Sequence, residues 1–337
     1  MYIKTNDIIN ERGKCFLAHC ATEGKMNQKN KKVDAIVPVY RPGQEFYHLL
    51  ERLSNQSFPL NKIILMSTGE APWQQEVESK YPLCEIHVLK KEEFDHGGTR
   101  HLATTFSKAD YLLFLTQDAE PANDKLVENL VNAFGQDEMI KAAYGRQLPN
   151  STCREIEKYT RSFNYPAESM VKSKKDLEKL GIKTFFCSNV CAMYEKETYD
   201  RLGGFIRRTI FNEDMIYAGG LIQNDYKIAY VAEAEVIHSH NYNAAEQFHR
   251  NFDLAVSQTD NPQIFAGIRS EKEGVRLVIN TAKHLLKVKK PWLLLPLVTT
   301  SAGKILGYKF GQNYRRLSAD FILKCTMNPS YWRNVNE

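Results

Sequence analysis

The sequence predicts an α/β fold in which a mostly parallel sheet is flanked by helices and followed by a helical C-terminal extension. Two observations lead to this prediction. Four continuous apolar runs of strand length alternate with helix-like segments between residues 33 and 118. Such runs are typical of parallel strands that are buried on both faces. The second observation is that residues 244–260 and 264–287 have helical character.

The first half of the chain supplies the alternating elements. Residues 33–40 (VDAIVPVY) form an apolar strand, and apolar residues at 46, 49, 50 and 53 have the spacing of a helix. Further strands are predicted at 62–67, 85–90 and 111–118, and further helices at 73–81 and 98–108. Ligands of such sheets bind beyond the carboxyl ends of the strands. The residues that directly follow each strand are therefore the first candidates for a site.

The pattern changes after residue 140. A strand is predicted at 142–148, followed by a polar and partly helical insertion at 151–180 and a candidate strand pair at 184–194. A short helix then ends at Gly203 and Gly204, and a helix at 213–225 precedes strand segments at 227–240. Helices are predicted at 244–260 and 264–287, with short helical stretches in the tail. We therefore divide the chain into an N-terminal extension (1–32), a sheet-containing domain (33–260) and a basic, mostly helical C-terminal region (261–337).

Composition and charge exclude several classes of protein. The 337 residues are 43% apolar and 25% charged, which excludes a disordered chain. No run of 18 apolar residues predicts a spanning helix, and the N-terminus lacks the apolar core of a signal peptide. Seven irregularly spaced cysteines predict reduced thiols in a cytoplasmic protein.

The C-terminal region is the basic part of the chain. Residues 262–337 contain 13 Lys and Arg against 4 Asp and Glu, while the rest contains 32 against 36. We expect this tail to meet an anionic surface such as a membrane. Nucleic acid is not the expected partner, because no nucleic-acid-binding motif accompanies the charge.

Asp118 is the first candidate functional residue. It ends the fourth predicted strand in the run TQDAEP, where a carboxylate points into the ligand crevice. A carboxylate that faces a diphosphate needs a divalent cation between them. The alternative is a capping or turn aspartate before Pro121.

A second candidate is FDHGGTR (94–100), which follows the third predicted strand. Gly97 and Gly98 permit a close backbone approach, the helix N-terminus supplies N–H groups for an anion, and Arg100 can add a phosphate contact. The alternative is a glycine-rich turn with a surface arginine. Neither a GxGxxG fingerprint nor a P-loop lysine motif is present.

Two further motifs lie in the second half of the chain. Glu213 and Asp214 begin a predicted helix. Acids are favoured at such a position, but a carboxylate there can also accept the proton of an attacking hydroxyl. His238 and His240 lie two apart on one face of a strand. One of them can complete a metal site with Asp118, and a pair is harder to explain structurally than a single histidine.

Taken in chain order, IVPVY, the strand that ends near Ser67, HGGTR, TQDA, YGRQ, SN, the ED pair and HSH resemble glycosyltransferase family 2. They are similar in particular to its bacterial rhamnosyltransferases that use dTDP-L-rhamnose. The resemblance covers roughly residues 33–260 and continues weakly into the tail, at GYKFGQNYRRLS and a final YW. It implies a GT-A (Rossmann-like) fold for residues 33–260, an inverting mechanism and a divalent cation, Mg²⁺ or Mn²⁺.

The resemblance also implies roles for individual residues. Nucleotide-sugar contacts fall on Pro38, Tyr40, Ser67, Asp95, His96, Gly97, Gly98, Thr99, Arg100 and Gln117. The implied metal ligands are Asp118 and His238, with His240 as the alternative histidine. Only one acid of the family's DxD motif is present. The implied catalytic base is Asp214. Contacts with the acceptor or the sugars fall on Arg146, Gln147, Ser188, Asn189, Glu213 and Tyr217.

The expected reaction transfers L-rhamnose from dTDP-L-rhamnose to a hydroxyl of a lipid-linked cell-surface polysaccharide precursor, at the inner face of the cell membrane. The family's Asp-Asp-Gly-Ser after the second strand is replaced by residues 66–69 (MSTG), which is compatible with a nucleotide other than UDP. Two alternatives remain open: a UDP-sugar-dependent hexosyl- or galactofuranosyltransferase of the same fold, and a non-catalytic nucleotide-sugar-binding protein.

The tail contains an apolar patch with basic flanks. The patch consists of Trp292, Leu293, Leu294, Leu295, Leu297 and Val298, and the flanking lysines are Lys287, Lys289, Lys290 and Lys304. This combination is typical of a segment that lies on a membrane surface. The alternative is a helix buried in the core or in a homodimer.

Overall fold

The computed structural model describes residues 28, 30–268 and 271–333, so nearly all of the predicted N-terminal extension lies outside the described residues. The strands are β1 (Val33–Val39), β2 (Lys62–Thr68), β3 (Cys84–Leu89), β4 (Tyr111–Leu115), β5 (Glu120–Pro121), β6 (Ile140–Leu148), β7 (Met170–Lys172), β8 (Cys191–Glu195) and β9 (Lys227–Ile237). The five cysteines within these residues are free thiols.

Helices connect and cover the strands. They are α1 (Gln44–Ser54), α2 (Gln74–Lys80), α3 (His96–Thr104), α4 (Leu126–Phe134), α5 (Glu155–Asn164), α6 (Leu177–Leu180), α7 (Lys196–Arg201), α8 (Glu213–Gln223), α9 (Ala244–Asp260), α10 (Pro262–Phe265), α11 (Glu271–Lys287), α12 (Leu294–Gln312), α13 (Ala319–Cys325) and α14 (Pro329–Arg333). Over the part of the chain that is described, no helix has both the length and the apolar character needed to cross a bilayer.

The strands form one mixed sheet with the order β3-β2-β1-β4-β8-β6-β9-β5, and β7 pairs with β9. The first four strands are parallel, as the alternating pattern predicts. β8 runs antiparallel to both β4 and β6, and β6 is parallel to β9. The carboxyl ends of β1, β2, β4, β6 and β9 therefore meet at one edge of the sheet, together with the residues that precede β8.

Alternate residues of the central strands pack into two separate apolar layers. In β1, Val33, Ala35, Val37 and Val39 join the layer under α1 and α4, while Ile36 joins the layer that contains Ala103 of α3 and Leu221 of α8. Both faces of the sheet are thus covered, which explains why its strands are continuously apolar.

Two predicted elements are different in the structure. The candidate strand pair at 184–194 contains a single strand, β8, and residues Gly181–Phe185 form a 3₁₀ helix. The buried ammonium group of Lys172 donates hydrogen bonds to the carbonyls of Lys183 and Phe186. These carbonyls therefore have a hydrogen-bond donor without pairing with a neighbouring strand. The helix predicted at 264–287 is divided into α10 and α11, because Gly267 adopts a φ of +78°.

The C-terminal region is built on a long helix, α12, instead of short stretches, and α12 packs against α9. Gly303, Gly307 and Gly311 of α12 are four residues apart, and their α-carbons lie against the backbone carbonyls of Ala244, Phe248 and Phe252 of α9. A side chain at any of these positions would overlap a carbonyl oxygen. The three glycines therefore permit a close helix–helix contact that fixes α12 beside the sheet-containing part of the chain.

Candidate active site

The candidate metal ligands come together at the carboxyl edge of the sheet. Asp118 follows β4, and His238 and His240 follow β9. Asp118 Oδ2 lies 3.6 Å from Nε2 of His238 and 3.4 Å from Nε2 of His240. The ligand atoms of all three residues lie within 4.8 Å of one another, as a single metal ion requires. The sequence left a choice between the two histidines, and the structure brings both of them to Asp118.

The surroundings of His238 suit a metal ligand. Its Nδ1 lies 3.2 Å from Oε1 of Gln147, a contact that places the ring proton on Nδ1 and leaves the Nε2 lone pair directed at Asp118. Burial lowers the pKa of His238 to about 3, so the ring is neutral at neutral pH. One carboxylate oxygen and two neutral imidazole nitrogens form a donor set that fits a divalent transition-metal ion.

Gln147 is itself held in place from two sides. Its Oε1 accepts a hydrogen bond from Arg161 of α5, and its Nε2 donates to Oγ of Ser188 over 3.1 Å. Gln147 is buried, with 3% of its surface exposed. Gln147, which the resemblance assigned to a sugar contact, therefore supports the histidine ligand His238.

Asn189 joins the two acids at the start of α8. Its backbone N–H donates to Oδ2 of Asp214 over 3.0 Å, and its side-chain amide donates to Oε1 of Glu213 over 3.1 Å. The carbonyl oxygen of that amide accepts from the hydroxyl of Tyr194 over 3.0 Å. A single buried residue therefore fixes the positions of both carboxylates.

The two acids differ in their electrostatic surroundings. Burial opposes ionisation of Glu213, but Arg100, whose Nη1 lies 3.2 Å away, His96 and the Asn189 amide together lower its pKa. Burial and the charge of Glu213 raise the pKa of Asp214 to about 7. Two titratable groups whose pKa values are driven apart have distinct chemical roles. Asp214 is the carboxylate that can take up and release a proton near neutral pH.

The HGGTR segment is arranged differently from the sequence prediction. The N–H groups of Gly97 and Gly98 are not free for an anion, because both donate to Oδ1 of Asp95, over 2.9 and 2.8 Å. A β-carbon at either glycine would overlap the backbone carbonyls of Ile206 or Arg207. The close backbone approach that the two glycines permit is thus made by the chain itself, not by a ligand.

The other residues of this segment are also committed to the protein. Asp95 additionally accepts from the N–H of Thr209 over 3.2 Å, and Thr99 Oγ1 accepts from the N–H of Asp95 over 3.2 Å. Arg100 is buried and, besides its pairing with Glu213, donates to the carbonyl of His96 over 3.0 Å. The arginine assigned to a phosphate is therefore directed at the acid pair.

The residues assigned to the nucleotide base lie at the ends of neighbouring strands. In the β1–β2 register, Pro38 is opposite Met66. Ser67 is buried, and Tyr40 is exposed. Gln117 makes two hydrogen bonds with the backbone of Tyr40, accepting from its N–H over 2.7 Å and donating to its carbonyl over 3.0 Å. Gln117 thereby connects the loops that follow β1 and β4.

Two residues assigned to the sugars have other partners. Arg146 pairs with Glu235 of β9 over 3.2 Å and donates to a backbone carbonyl of Tyr165. Tyr217 is 5% exposed and lies in an aromatic cluster with Tyr194 and Phe205. Tyr217 thus packs with the core aromatic residues on one side of α8, and the expected sugar contact stays a prediction.

Sequence reasoning missed three residues of the site: Arg161, Tyr194 and Arg250. The guanidinium of Arg250 stacks over the rings of Phe211 and Tyr242. Burial is the main cause that lowers the pKa of both His238 and His240, and the positive charges of Arg161 and Arg250 lower it further. No motif marks these residues, because they reach the site only through the packing of α5, β8 and α9.

The fold is of the GT-A class. The chain resembles a solved structure of the mannosyltransferase PcManGT from Pyrobaculum calidifontis, in complex with GDP-Man and Mn²⁺. The TM-score is 0.53, and the match covers 96% of each chain at 12% identity.

The comparison of sequences gives the family. A family model described as glycosyl transferase family 2 matches residues 34–203, about half of the chain. The O-antigen chain rhamnosyltransferase RfbN of Salmonella typhimurium is 39% identical over 308 residues, which cover 90% of this chain and 97% of the relative. The O-antigen chain rhamnosyltransferase WbaN of Salmonella anatum is 38% identical, with coverage of 89% and 95%. The chain belongs to glycosyl transferase family 2 and is a glycosyltransferase.

Proposed function

We propose that this enzyme transfers L-rhamnose from dTDP-L-rhamnose to a hydroxyl of a lipid-linked precursor of a cell-surface polysaccharide, with inversion at the anomeric carbon. The sugar and the pathway are supported by the identity of 39% and 38% to two O-antigen chain rhamnosyltransferases. The catalysis is supported above all by one observation: a fixed carboxylate with a pKa near neutrality, Asp214, lies at the sheet edge that also carries the Asp118–His238–His240 cluster.

Asp214 is the proposed base. An inverting transfer is a single in-line displacement, in which the acceptor hydroxyl must lose its proton as its bond to the sugar forms. A general base works best when its pKa lies near the working pH, and burial beside Glu213 raises the pKa of Asp214 to about 7. The N–H groups of Asn189 and Met215 hold its two oxygens, over 3.0 and 2.7 Å, so that the carboxylate keeps one orientation.

Glu213 and Arg100 have a supporting role in this proposal. They form an ion pair that is almost fully shielded from water. Burial is the largest cause that raises the pKa of Asp214, and the negative charge of Glu213 raises it further. Asn189 sets the geometry of both acids. Glu213 therefore acts through Asp214 and not on the substrate.

Asp118, His238 and His240 would hold the divalent cation, Mg²⁺ or Mn²⁺. When bound, such a cation offsets the negative charge of a nucleotide diphosphate. The chain's own contribution is to fix the ligands: Gln147 orients His238, and Arg161 and Ser188 orient Gln147.

The C-terminal helices provide the proposed membrane surface. Trp292, Leu295 and Val298 are 67%, 71% and 61% exposed, while Leu297 of the same predicted patch is buried. Ile305 and Leu306 of α12 extend the exposed apolar surface. Exposed apolar side chains next to lysines fit a surface that lies in the headgroup region of an anionic bilayer, where a lipid-linked acceptor would be found.

The donor is tested by thermal unfolding of the protein with a panel of nucleotides. A ligand that binds only the folded state raises its stability in proportion to RT ln(1 + [L]/Kd). We expect dTDP to raise the melting temperature more than UDP or GDP, and Mn²⁺ or Mg²⁺ to increase the shift. Equal shifts, or a larger shift with UDP, would support a UDP-sugar-dependent transferase instead.

The membrane surface is tested by sedimentation with vesicles in which about 30% of the lipid is anionic, to resemble a cytoplasmic leaflet. Val298→Glu should reduce the bound fraction. The matched control is Val88→Glu, which places the same charge at a position of similar exposure, 55%, on the edge strand β3. Equal binding of both variants and the wild type would show that α12 does not meet the bilayer.

A further inference from the structure

The candidate metal centre lacks the arginine that the sequence assigned to the phosphates. Arg100 is occupied by Glu213 and by the carbonyl of His96. Arg161, the next cation, pairs with Glu157 over 2.7 Å and donates to Gln147. A diphosphate at this edge of the sheet carries several negative charges. It therefore needs cationic partners other than Arg100 and Arg161.

Arg250 of α9 lies beside the metal centre. Its guanidinium carbon is 4.6 Å from the ring centre of Phe211 and 5.7 Å from that of Tyr242. The ring of Tyr242 is in turn 5.3 Å from the ring of His240. One aromatic ring therefore separates the guanidinium from a candidate metal ligand. Within the described parts of the chain, Arg250 forms no ion pair with an acid, and its planar group is held by two rings.

Lys304 belongs to α12, which packs against α9, the helix that carries Arg250. It stands between Gly303 and Gly307, which rest on the carbonyls of Ala244 and Phe248 of α9, so its side chain starts at the tightest part of the helix–helix contact. It is half-buried, and the structure does not place it on the outer surface with the lysines of the predicted membrane patch. Burial lowers the pKa of Lys304, and the positive charge of Arg250 lowers it further.

Glu157 does not neutralise these two cations. Its charge raises the pKa of Lys304, but its carboxylate is already bound to Arg161. Two half-buried cations on packed helices repel each other, and the loss of their hydration is costly without a partner. An anion that binds between them would remove both costs, and a guanidinium is well suited to two parallel contacts with phosphate oxygens.

We propose that Arg250 and Lys304 form a binding site for the phosphate groups of a diphosphate, next to the Asp118–His238–His240 centre. This inference rests on the proposed function, since that function supplies two such molecules: the nucleotide sugar and the diphosphate-linked lipid carrier of the acceptor. The chemistry recognised is the same in both. The experiment below separates the two sources.

The test is isothermal titration calorimetry of the full chain with two probes: dTDP in the presence of Mn²⁺, and farnesyl diphosphate as a soluble lipid diphosphate. Arg250→Met keeps the apolar stem that packs on Phe211 and Tyr242 but removes the charge. We expect it to bind at least one of the probes about 10- to 100-fold more weakly, the usual effect of losing a charged hydrogen bond. Lys304→Met should weaken the same probe, and Arg250→Lys should bind it more tightly than Arg250→Met.

Lys108→Met is the matched control, because it removes one positive charge from an exposed position on another part of the molecule. A loss confined to dTDP assigns the site to the donor, and a loss confined to farnesyl diphosphate assigns it to the lipid carrier. Wild-type affinity of Arg250→Met and Lys304→Met for both probes would overturn the inference. Failure of the proposed function is a separate result: a wild-type enzyme that binds dTDP but transfers no rhamnose.

Discussion

Removal of the Glu213 charge is the most informative perturbation of the proposed base, Asp214. Glu213 raises the pKa of Asp214, while Arg100 lowers it. Glu213→Gln removes the first effect and frees Arg100 from its ion pair, so both changes lower the pKa of Asp214. Asn189 binds both carboxylates, so their charges interact at short range. Two unit charges roughly 7 Å apart interact by about 2 kcal/mol at an effective dielectric constant of about 20, which corresponds to about 1.5 pKa units.

The assay is the pH dependence of kcat/KM for the donor. Asp214 must be ionised to accept a proton, and its pKa is raised to about 7. Wild-type activity should therefore be full above about pH 8 and fall as the pH drops through 7, whereas an ordinary aspartate would lose activity only near pH 4. In Glu213→Gln this fall should move to lower pH by about one to two units. Glu178→Gln, a change at an exposed glutamate, should leave it in place.

Asp214→Asn supplies the complementary result. It keeps the shape of the side chain and removes the base, so kcat should fall on the order of 100-fold or more, with dTDP binding nearly unchanged. Near wild-type turnover of Asp214→Asn together with an inactive Glu213→Gln would mean that Glu213 is the base and Asp214 the supporting acid. If both variants turn over normally with an unshifted profile, the acid pair is not the base.

Three further predictions concern the metal centre and the helix contact. Asp118→Ala and His238→Ala should each remove the added thermal stability that Mn²⁺ gives to the dTDP complex, and unchanged cation dependence in both would refute the metal centre. Gln147→Leu should weaken Mn²⁺ binding about 10- to 100-fold, as the loss of a ligand's supporting hydrogen bond does; calorimetry measures this. Gly307→Val should lower the free energy of unfolding by about 1–3 kcal/mol in a urea titration, whereas Gly274→Val, with open space around it, should cost less.

The parallel half of the sheet and the meeting of the site residues were predictable from the sequence. Continuous apolar runs alternating with helices require parallel strands covered on both sides, and parallel strands bring their carboxyl ends to one edge. Asp118 and the histidine pair are far apart in the chain, yet both follow strands with the same direction. The shared direction brings them to one edge of the sheet, and the pairing of Glu120 in β5 with Ile237 in β9 brings Asp118 close to the histidines.

The environment of the glycines and of Arg100 was not predictable in the same way. A GG pair at the start of a helix indicates that another group approaches the backbone closely. It does not indicate whether that group is a phosphate or another segment of the chain. Here the approaching atoms are the carbonyls of Ile206 and Arg207, from a loop more than 100 residues away in the sequence. Arg100 likewise turns toward Glu213 because both are buried together, which only the packed structure determines.

The C-terminal region shows a second limit of sequence reasoning. Positive charge and apolar residues in the tail predict an anionic surface but not which side chains face it. Leu297 is buried and Lys304 turns inward, because the three glycines of α12 bring that face against α9. The same contact packs the helix of Lys304 against the helix of Arg250, two residues that lie 54 positions apart and share no motif.

The proposed cation-dependent transfer of rhamnose from a thymidine nucleotide is tested most directly by a single measurement. Chelator-treated enzyme is given dTDP-L-rhamnose and a lipid-linked saccharide acceptor, and product is followed by mass spectrometry before and after Mn²⁺ is restored, with UDP-sugars in parallel. We predict a rhamnosylated product that appears only with dTDP-L-rhamnose and only after the cation is added. Efficient transfer from a UDP-sugar, or full rhamnosyl transfer without any divalent cation, would contradict the account.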